Sequence, residues 1–223
     1  MISRLKIAVL GVLETRIKEE NMEEIWANLS LPIWGLVHNY SNSNLGRIWV
    51  LFDTSKVNLT AVDCSVQFIH YKIVWCTDIF YWTCVYGSYD PYLRRSLARL
   101  GKDLDGPWLI QGDFSAICSN KDRKRGVLVN QEATNEPQEW ILGLDLLEVP
   151  STSPKFTWTN FQEGDRRIYK TLDWHFANYL WYNKLGEPCC SVLNSGVFDH
   201  CSLLVDINGL GRRVKAPFRF FNM

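Results

Sequence analysis

Apolar positions along the chain fall into short runs broken by polar turns, and most of these runs are strand-like. Residues 6–14 form a continuous apolar run, the pattern of a strand covered on both faces, with Glu14 delivered at its end. Met22, Ile25, Trp26 and Leu29 then recur at helical spacing, with Glu19, Glu20 and Glu23 near the start, so an amphipathic helix is expected. A turn-rich stretch at 41–46 leads into aromatic and β-branched residues at 47–52, and 57–62, 66–74 and 79–86 read as further strands. Asp90 followed by Pro91 is a helix start, and Leu93, Leu97, Leu100 and Leu104 form one apolar stripe. Gly106 and Pro107 end that helix, and a buried strand at 108–110 runs into Gln111, Gly112 and Asp113. After a basic loop at 121–126, a helix is expected within 131–144, started or kinked by Pro137. Strands at 156–159, 168–176, 190–193 and 202–207 complete the set.

Strands outnumber helices and follow one another through short turns, which implies mainly antiparallel pairing with helices on the outer faces. The expected class is therefore α/β: a four-layer α/β sandwich of two mainly antiparallel or mixed sheets flanked by helices. Neither an internal repeat nor a low-complexity segment divides the 223 residues, so one domain is expected.

Composition narrows the functional classes. The chain is 47% hydrophobic, which excludes disordered and collagen-like classes. Its 24 basic and 24 acidic residues balance, so nucleic-acid binding cannot be argued from net charge and must rest on local patches. Seven cysteines without a CxxC pair argue against a zinc module or disulfide scaffold and for a reducing compartment, nucleus or cytosol. The apolar run at 7–13 is too short to span a bilayer and lacks a small-residue cleavage site, so the expectation is a soluble, unsecreted protein without a membrane partner.

The candidate chemistry lies at the ends of strand-like runs. Glu14, Asp113, Asp173 and the pair Asp199 and His200 each end or follow such a run, and Tyr86 adds a phenol at another. Acidic groups from distant parts of the chain can meet in one crevice at the sheet ends. Carboxylates there suit a hard cation such as Mg2+, and an Asp–His pair adds a proton carrier or hydrogen-bond donor. Taken one at a time, an Asp before a turn is more often a cap than a ligand, and Gly112-Asp113 is a common turn dipeptide. Combination and order change the balance.

In order, the chain carries Leu13-Glu14-Thr15-Arg16, Val85-Tyr86-Gly87-Ser88, Pro107 to Phe114, Phe156-Thr157-Trp158-Thr159-Asn160, Leu172-Asp173 and Asp199-His200. This series resembles the endonuclease/exonuclease/phosphatase superfamily, related to apurinic endonucleases and DNase I. The resemblance is nearest to the endonuclease domain of plant LINE-type (non-LTR) retrotransposons, and it runs from about residue 6 to the C-terminus. It implies metal-dependent phosphodiester hydrolysis with Mg2+ or Mn2+ on double-stranded DNA. By resemblance, Glu14 and Asp199 are metal-site residues, Tyr86 lies near the scissile phosphate, and Asp113 orients or deprotonates the attacking water. Asp173 pairs with His200, which hydrogen-bonds the phosphate.

The chain also departs from the family pattern. Ser115 stands where the family carries Asn, Trp174 replaces an Arg, and Phe198 replaces a Ser. The family's leading Asn-bearing strand has no counterpart, so the expectation is a domain over 1–208 that lacks its first strand and has weak or no activity. A linker towards a reverse transcriptase region in the parent polyprotein is expected over 209–223. The alternative is a non-catalytic remnant that binds nucleic acid or protein. Phosphoinositide phosphatases and RNA-trimming enzymes share the superfamily scaffold as further alternatives. Arg123, Lys124, Arg125, Arg166, Arg167 and Lys170 are the expected phosphate-binding cations, and Trp158 is expected to pack in the core.

Overall fold

In the computed structural model, residues 5–87, 90–127, 137, 139–152, 154–193 and 198–207 are described. The chain opens with β1 (Val9–Lys18), α1 (Met22–Asn28), β2 (Trp34–His38), β3 (Leu45–Asp53), β4 (Asn58–Cys64), β5 (Phe68–Trp75) and β6 (Asp78–Tyr86). Next come α2 (Pro91–Lys102), β7 (Trp108–Asp113), β8 (Arg123–Lys124), β9 (Leu146–Glu148), β10 (Ser151–Thr152), β11 (Trp158–Thr159) and β12 (Tyr169–Lys170). β13 (Asp173–Asn178), α3 (Tyr179–Leu185), β14 (Cys189–Leu193) and β15 (Ser202–Asp206) close the described series.

A six-stranded sheet, ordered β4-β5-β6-β7-β13-β9, forms one wall of the core. All its pairings are antiparallel except β6 with β7. The opposite wall consists of two three-stranded sheets, β1-β3-β2 and β10-β14-β15. Between the walls, Ile48 and Val50 of β3 pack with Ile69, Tyr71, Trp82 and Cys84 of the large sheet. Helix α2 covers the outer face of the large sheet with Leu93 and Leu97, both fully buried beside Trp108 and Ile110. On the other outer face, Met22, Ile25 and Trp26 of the α1 segment pack on Trp49 and Leu51. The result is the expected sandwich of two sheet walls with helices outside.

Local signals account for most elements. Asp90 caps α2, its carboxylate accepting the Leu93 N–H at 2.9 Å with Pro91 in the first turn. Asn178 caps α3 in the same way through Trp181 N–H at 3.0 Å. Three expectations need correction. The first strand runs on to Lys18, because a bulge between Leu13 and Ile17 absorbs the polar residues that looked like its end. β2 was not expected, its residues being hidden behind Pro32 and an aromatic-polar mixture. The run at 168–176 divides into β12 and β13, which belong to different sheets. Cys76 lies exposed in a turn, whereas Cys84 is buried, and none of the seven cysteines is in a disulfide. Of the helix expected within 131–144, positions 139–143 are helical and 131–136 lie outside the described residues, as do Ser88 and the 209–223 segment.

Candidate active site

Asp113 ends β7 and Asp173 begins the adjacent antiparallel β13, and the two are direct register partners. Side chains opposite one another on neighbouring strands share a face, so this register alone brings two carboxylates together. His200, just before β15, completes the group: its Nδ1 lies 2.9 Å from Asp173 Oδ2 and 3.2 Å from Oδ1. One ligand atom from each of Asp113, Asp173 and His200 lies within 4.8 Å of the others. Both carboxylates are buried, and the imidazole is half-buried.

The electrostatics follow from this crowding. Burial, then the neighbouring Asp173 charge, pushes Asp113 up to about 6; the Ser115 N–H bond and His200 act against this rise. Burial disfavours the charged form of His200. The Asp173 hydrogen bond and the charges of Asp173, Asp113 and Asp199 outweigh that effect, and its pKa rises to about 9. The site thus pairs an ionisable acid near neutrality with an imidazolium.

Local backbone geometry holds the group in place. Gly112 adopts φ +145°, and a Cβ there would stand 1.9 Å from the Val85 carbonyl oxygen on β6. Only glycine lets the β6–β7 pair close beside Asp113. Ser115, itself at φ +50°, donates its N–H to Asp113 Oδ1 at 2.6 Å. Its hydroxyl lies 3.4 Å from both carboxylate oxygens. Thr157 Oγ1 accepts the N–H groups of Leu172 and Asp173 at 3.0 and 3.1 Å, fixing the start of β13. A bridge between Trp158 and His200 anchors the histidine segment.

Glu14 and Tyr86 form a separate pair, the phenol donating to Glu14 Oε1 at 2.6 Å. Arg47 Nη1 lies 3.5 Å from the Tyr86 oxygen, and Arg16 is 3.6 Å from the other Glu14 oxygen. Burial and the Glu14 carboxylate both raise the Tyr86 pKa. Asp199 accepts the Trp158 indole N–H at 3.2 Å. Neither Glu14 nor Asp199 belongs to the three-residue ligand group formed by Asp113, Asp173 and His200.

Three of the six basic residues, Arg123, Lys124 and Lys170, lie on the small β11-β12-β8 sheet beside the histidine. Lys170 faces Arg123 across β12 and β8, and Lys124 faces Tyr169. The Lys170 ammonium lies 5.1 Å from the Trp158 ring centroid, and burial together with Arg123 lowers its pKa. Arg125 donates to the Gly164 carbonyl and pairs with Asp165 at 3.2 Å. Arg167 donates to the Gln162 carbonyl at 2.7 Å, and Arg166 sits in the intervening turn.

Trp158 is half-buried at the site instead of within the core, because its two-residue strand stands at the periphery and its indole serves Asp199. Trp174, by contrast, is buried under the outer face of the large sheet and donates to the Ala116 carbonyl at 3.0 Å. Thr157 and Arg47 are site residues that residue-type reasoning overlooked. Thr157 belongs to the segment from Phe156 to Asn160, but a hydroxyl that accepts two backbone N–H groups leaves no spacing signal; Arg47 reads only as a strand start.

No family model and no curated protein sequence matches the chain. Solved structures do. The endonuclease domain of TRAS1, a telomere-specific non-LTR retrotransposon, superposes with TM-score 0.68 at 9% identity, covering 92% of this chain and 88% of that one. A functionally unknown conserved protein from Enterococcus faecalis V583 gives 0.60 at 12% identity, covering 92% and 86%. An endonuclease/exonuclease/phosphatase protein from Bacteroides vulgatus gives 0.57 at 11%, covering 92% and 85%. The chain has the endonuclease/exonuclease/phosphatase fold. At these identities the likeness establishes the fold and leaves the chemistry to the residues. No described helix is long and apolar enough to cross a membrane.

Proposed function

We propose that the chain is a divalent-metal-dependent phosphodiesterase domain, a DNA endonuclease of retrotransposon origin, with weak activity. The observation that carries this reading is the convergence of Asp113, Asp173 and His200 at adjoining strand ends. Asp113, with a pKa of about 6, is ionised at neutral pH and basic enough to orient and deprotonate an attacking water. Asp173 holds His200 through Nδ1, leaving Nε2 to donate to a phosphate oxygen as negative charge develops. Tyr86 and the cations at 123–125, 166, 167 and 170 contribute to binding the scissile strand and its neighbours.

A hard cation suits this donor set, since two buried carboxylates stand close enough for one to raise the pKa of the other. Asp113 and Asp173 are the carboxylates brought together to hold Mg2+ or Mn2+, while Glu14 and Asp199, the metal residues by family resemblance, would have to turn from Tyr86 and Trp158 to join them. When bound, the cation neutralises charge on the phosphate oxygens. The TRAS1 likeness, with the motif order, favours DNA and a parent polyprotein with reverse transcriptase over other phosphodiesters. The non-catalytic alternative draws support from Glu14, whose two oxygens are already engaged by Tyr86 and Arg16.

Nicking of supercoiled plasmid with Mg2+ tests the reading. Relaxed circles above a metal-free control, lost in His200→Ala, are expected. Ser115→Asn, which adds an amide donor, should raise the rate by roughly 100-fold or more. Folded protein that nicks neither as it stands nor as Ser115→Asn would leave the non-catalytic reading.

A further inference from the structure

Glu14 is held by its own chain. Its Oε1 accepts the Tyr86 phenol at 2.6 Å, a short charge-assisted bond, and its Oε2 lies 3.6 Å from Arg16 Nη2. The bulge in β1 builds this arrangement. Glu14, Thr15 and Arg16 stand between the register pairs Leu13–Ile48 and Ile17–Gly46, and Arg47 alone stands opposite them on β3. Glu14 and Arg16 reach their positions at φ 54° and 50°. Tyr86 sets the cluster beside the candidate active site, because it is the register partner of Asp113 on the adjacent strand.

The charges of this cluster do not balance. Arg16 and Arg47 bring two positive charges against the single carboxylate of Glu14. Arg47 is half-buried, 3.5 Å from the Tyr86 oxygen and 5.9 Å from the centroid of the same ring, and among the described residues it pairs with no carboxylate. Its five N–H donors form a fork that matches carboxylate and phosphate oxygens. The phenol has one proton to donate, so an incoming anion can take it only from Glu14. The Arg16 contact gives way readily, since both of its side chains are exposed.

We infer that Tyr86, Arg16 and Arg47 form a phosphate site whose resident anion is the Glu14 carboxylate, and that a backbone phosphate entering it displaces Glu14 towards Asp113 and Asp173. Phosphate entry and cation binding are then coupled. The phosphate takes over the donors, and the freed carboxylate joins the two that suit a hard cation. By reciprocity, a bound cation draws Glu14 away and opens the site to phosphate. The inference rests on the metal-dependent phosphodiesterase reading and adds an order of assembly to it: the cation is held best once the phosphate is seated.

Two titrations of the full chain test it, with diethyl phosphate as the probe. In metal-free protein its binding is read from the carbon-13 resonance of Tyr86 Cζ. Glu14→Gln, which removes the resident charge, should tighten that binding about tenfold. Arg47→Ala should weaken it about tenfold, and so should Arg47→Lys, which keeps the charge and loses the fork. Asp199→Asn, an equal loss of charge outside the cluster, should leave it within about twofold. Mn2+ affinity, read from the free-ion EPR signal, should rise about tenfold under saturating diethyl phosphate, and Glu14→Gln should abolish that gain. A gain that survives in Glu14→Gln overturns the inference, because the phosphate then acts on the cation without the exchange. Phosphate binding that is equal in the parent protein, Glu14→Gln and folded Arg47→Lys overturns it as well. Mn2+ binding that ignores diethyl phosphate overturns the inference and leaves the phosphodiesterase reading standing. Absence of Mn2+ binding under both conditions removes that reading and the exchange together.

Discussion

Asp113 and His200 are both displaced upward, and the displacements have different consequences for stability. His200 has a folded pKa of about 9 against an ordinary 6.5, so its contribution is fully present below about pH 6.5 and is lost as pH rises through about 9. Asp113, raised from 3.8 to about 6, favours its protonated form in the folded state, and its ionisation costs stability as pH rises from about 4 to 6. Urea midpoints of the metal-free protein should therefore fall across pH 6.5–9. Asp173→Asn should flatten that fall, and the His200 imidazole resonances should then titrate well below 9. Unchanged His200 titration in Asp173→Asn would show that the ion pair does not set its pKa. Gly112 supplies the second prediction at this scale. Gly112→Ala should destabilise by at least about 1–3 kcal/mol, from a positive φ and a Cβ pressed on the Val85 carbonyl. Thermal denaturation measures it; a loss below about 0.5 kcal/mol would mean that β6 and β7 separate easily at this point. The residue types at the site were legible because carboxylates and histidine at strand ends are conspicuous. The supporting Thr157 was not, since its role lies in which backbone groups its hydroxyl meets.

At the scale of elements, the long strands and α2 were readable from periodicity and caps, and the short strands were not. β8, β11 and β12 have two residues each, too few for any alternation to show, and they exist because they pair with one another beside the site. β1 was cut short in the sequence reading because Glu14, Thr15 and Arg16 look like a turn, whereas the bulge carries them through with Glu14 and Arg16 at positive φ. The bulge also re-aims Glu14 towards Tyr86, a consequence of two extra residues in one strand that polarity patterns cannot encode. Asp90→Ala tests the clearest element-level signal: loss of the cap on Leu93 N–H should cost about 1 kcal/mol, measured by urea denaturation. No measurable loss would mean that packing of Leu93 and Leu97 alone sets the position of α2.

For the whole molecule, balanced charge means that the DNA affinity the proposed function requires would come from local basic residues beside His200 and not from a general field. Binding of a duplex should fall with salt, and each phosphate contact should contribute a slope of about 0.9 in log K against log salt. Lys124→Ala together with Arg166→Ala should flatten the slope by about 2, measured by fluorescence anisotropy at several salt concentrations. An unaltered slope would place the contacts elsewhere. The architecture was legible as a class because strand count and antiparallel order constrain it strongly. The division of one wall into two three-stranded sheets was not, because it depends on which edges meet and not on what any strand contains.

One feature of the dyad bears on how the molecule responds to mechanical load. Asp173 belongs to the six-stranded sheet, while His200 leads into β15 on the facing wall, and their 2.9 Å contact spans the two. The pair therefore acts as a gauge of alignment between the walls. A slide of one layer over the other by an ångström or two lengthens the contact beyond hydrogen-bonding range while both sheets keep their own ladders. Hydrostatic pressure or mild urea should thus silence the histidine before any strand is lost.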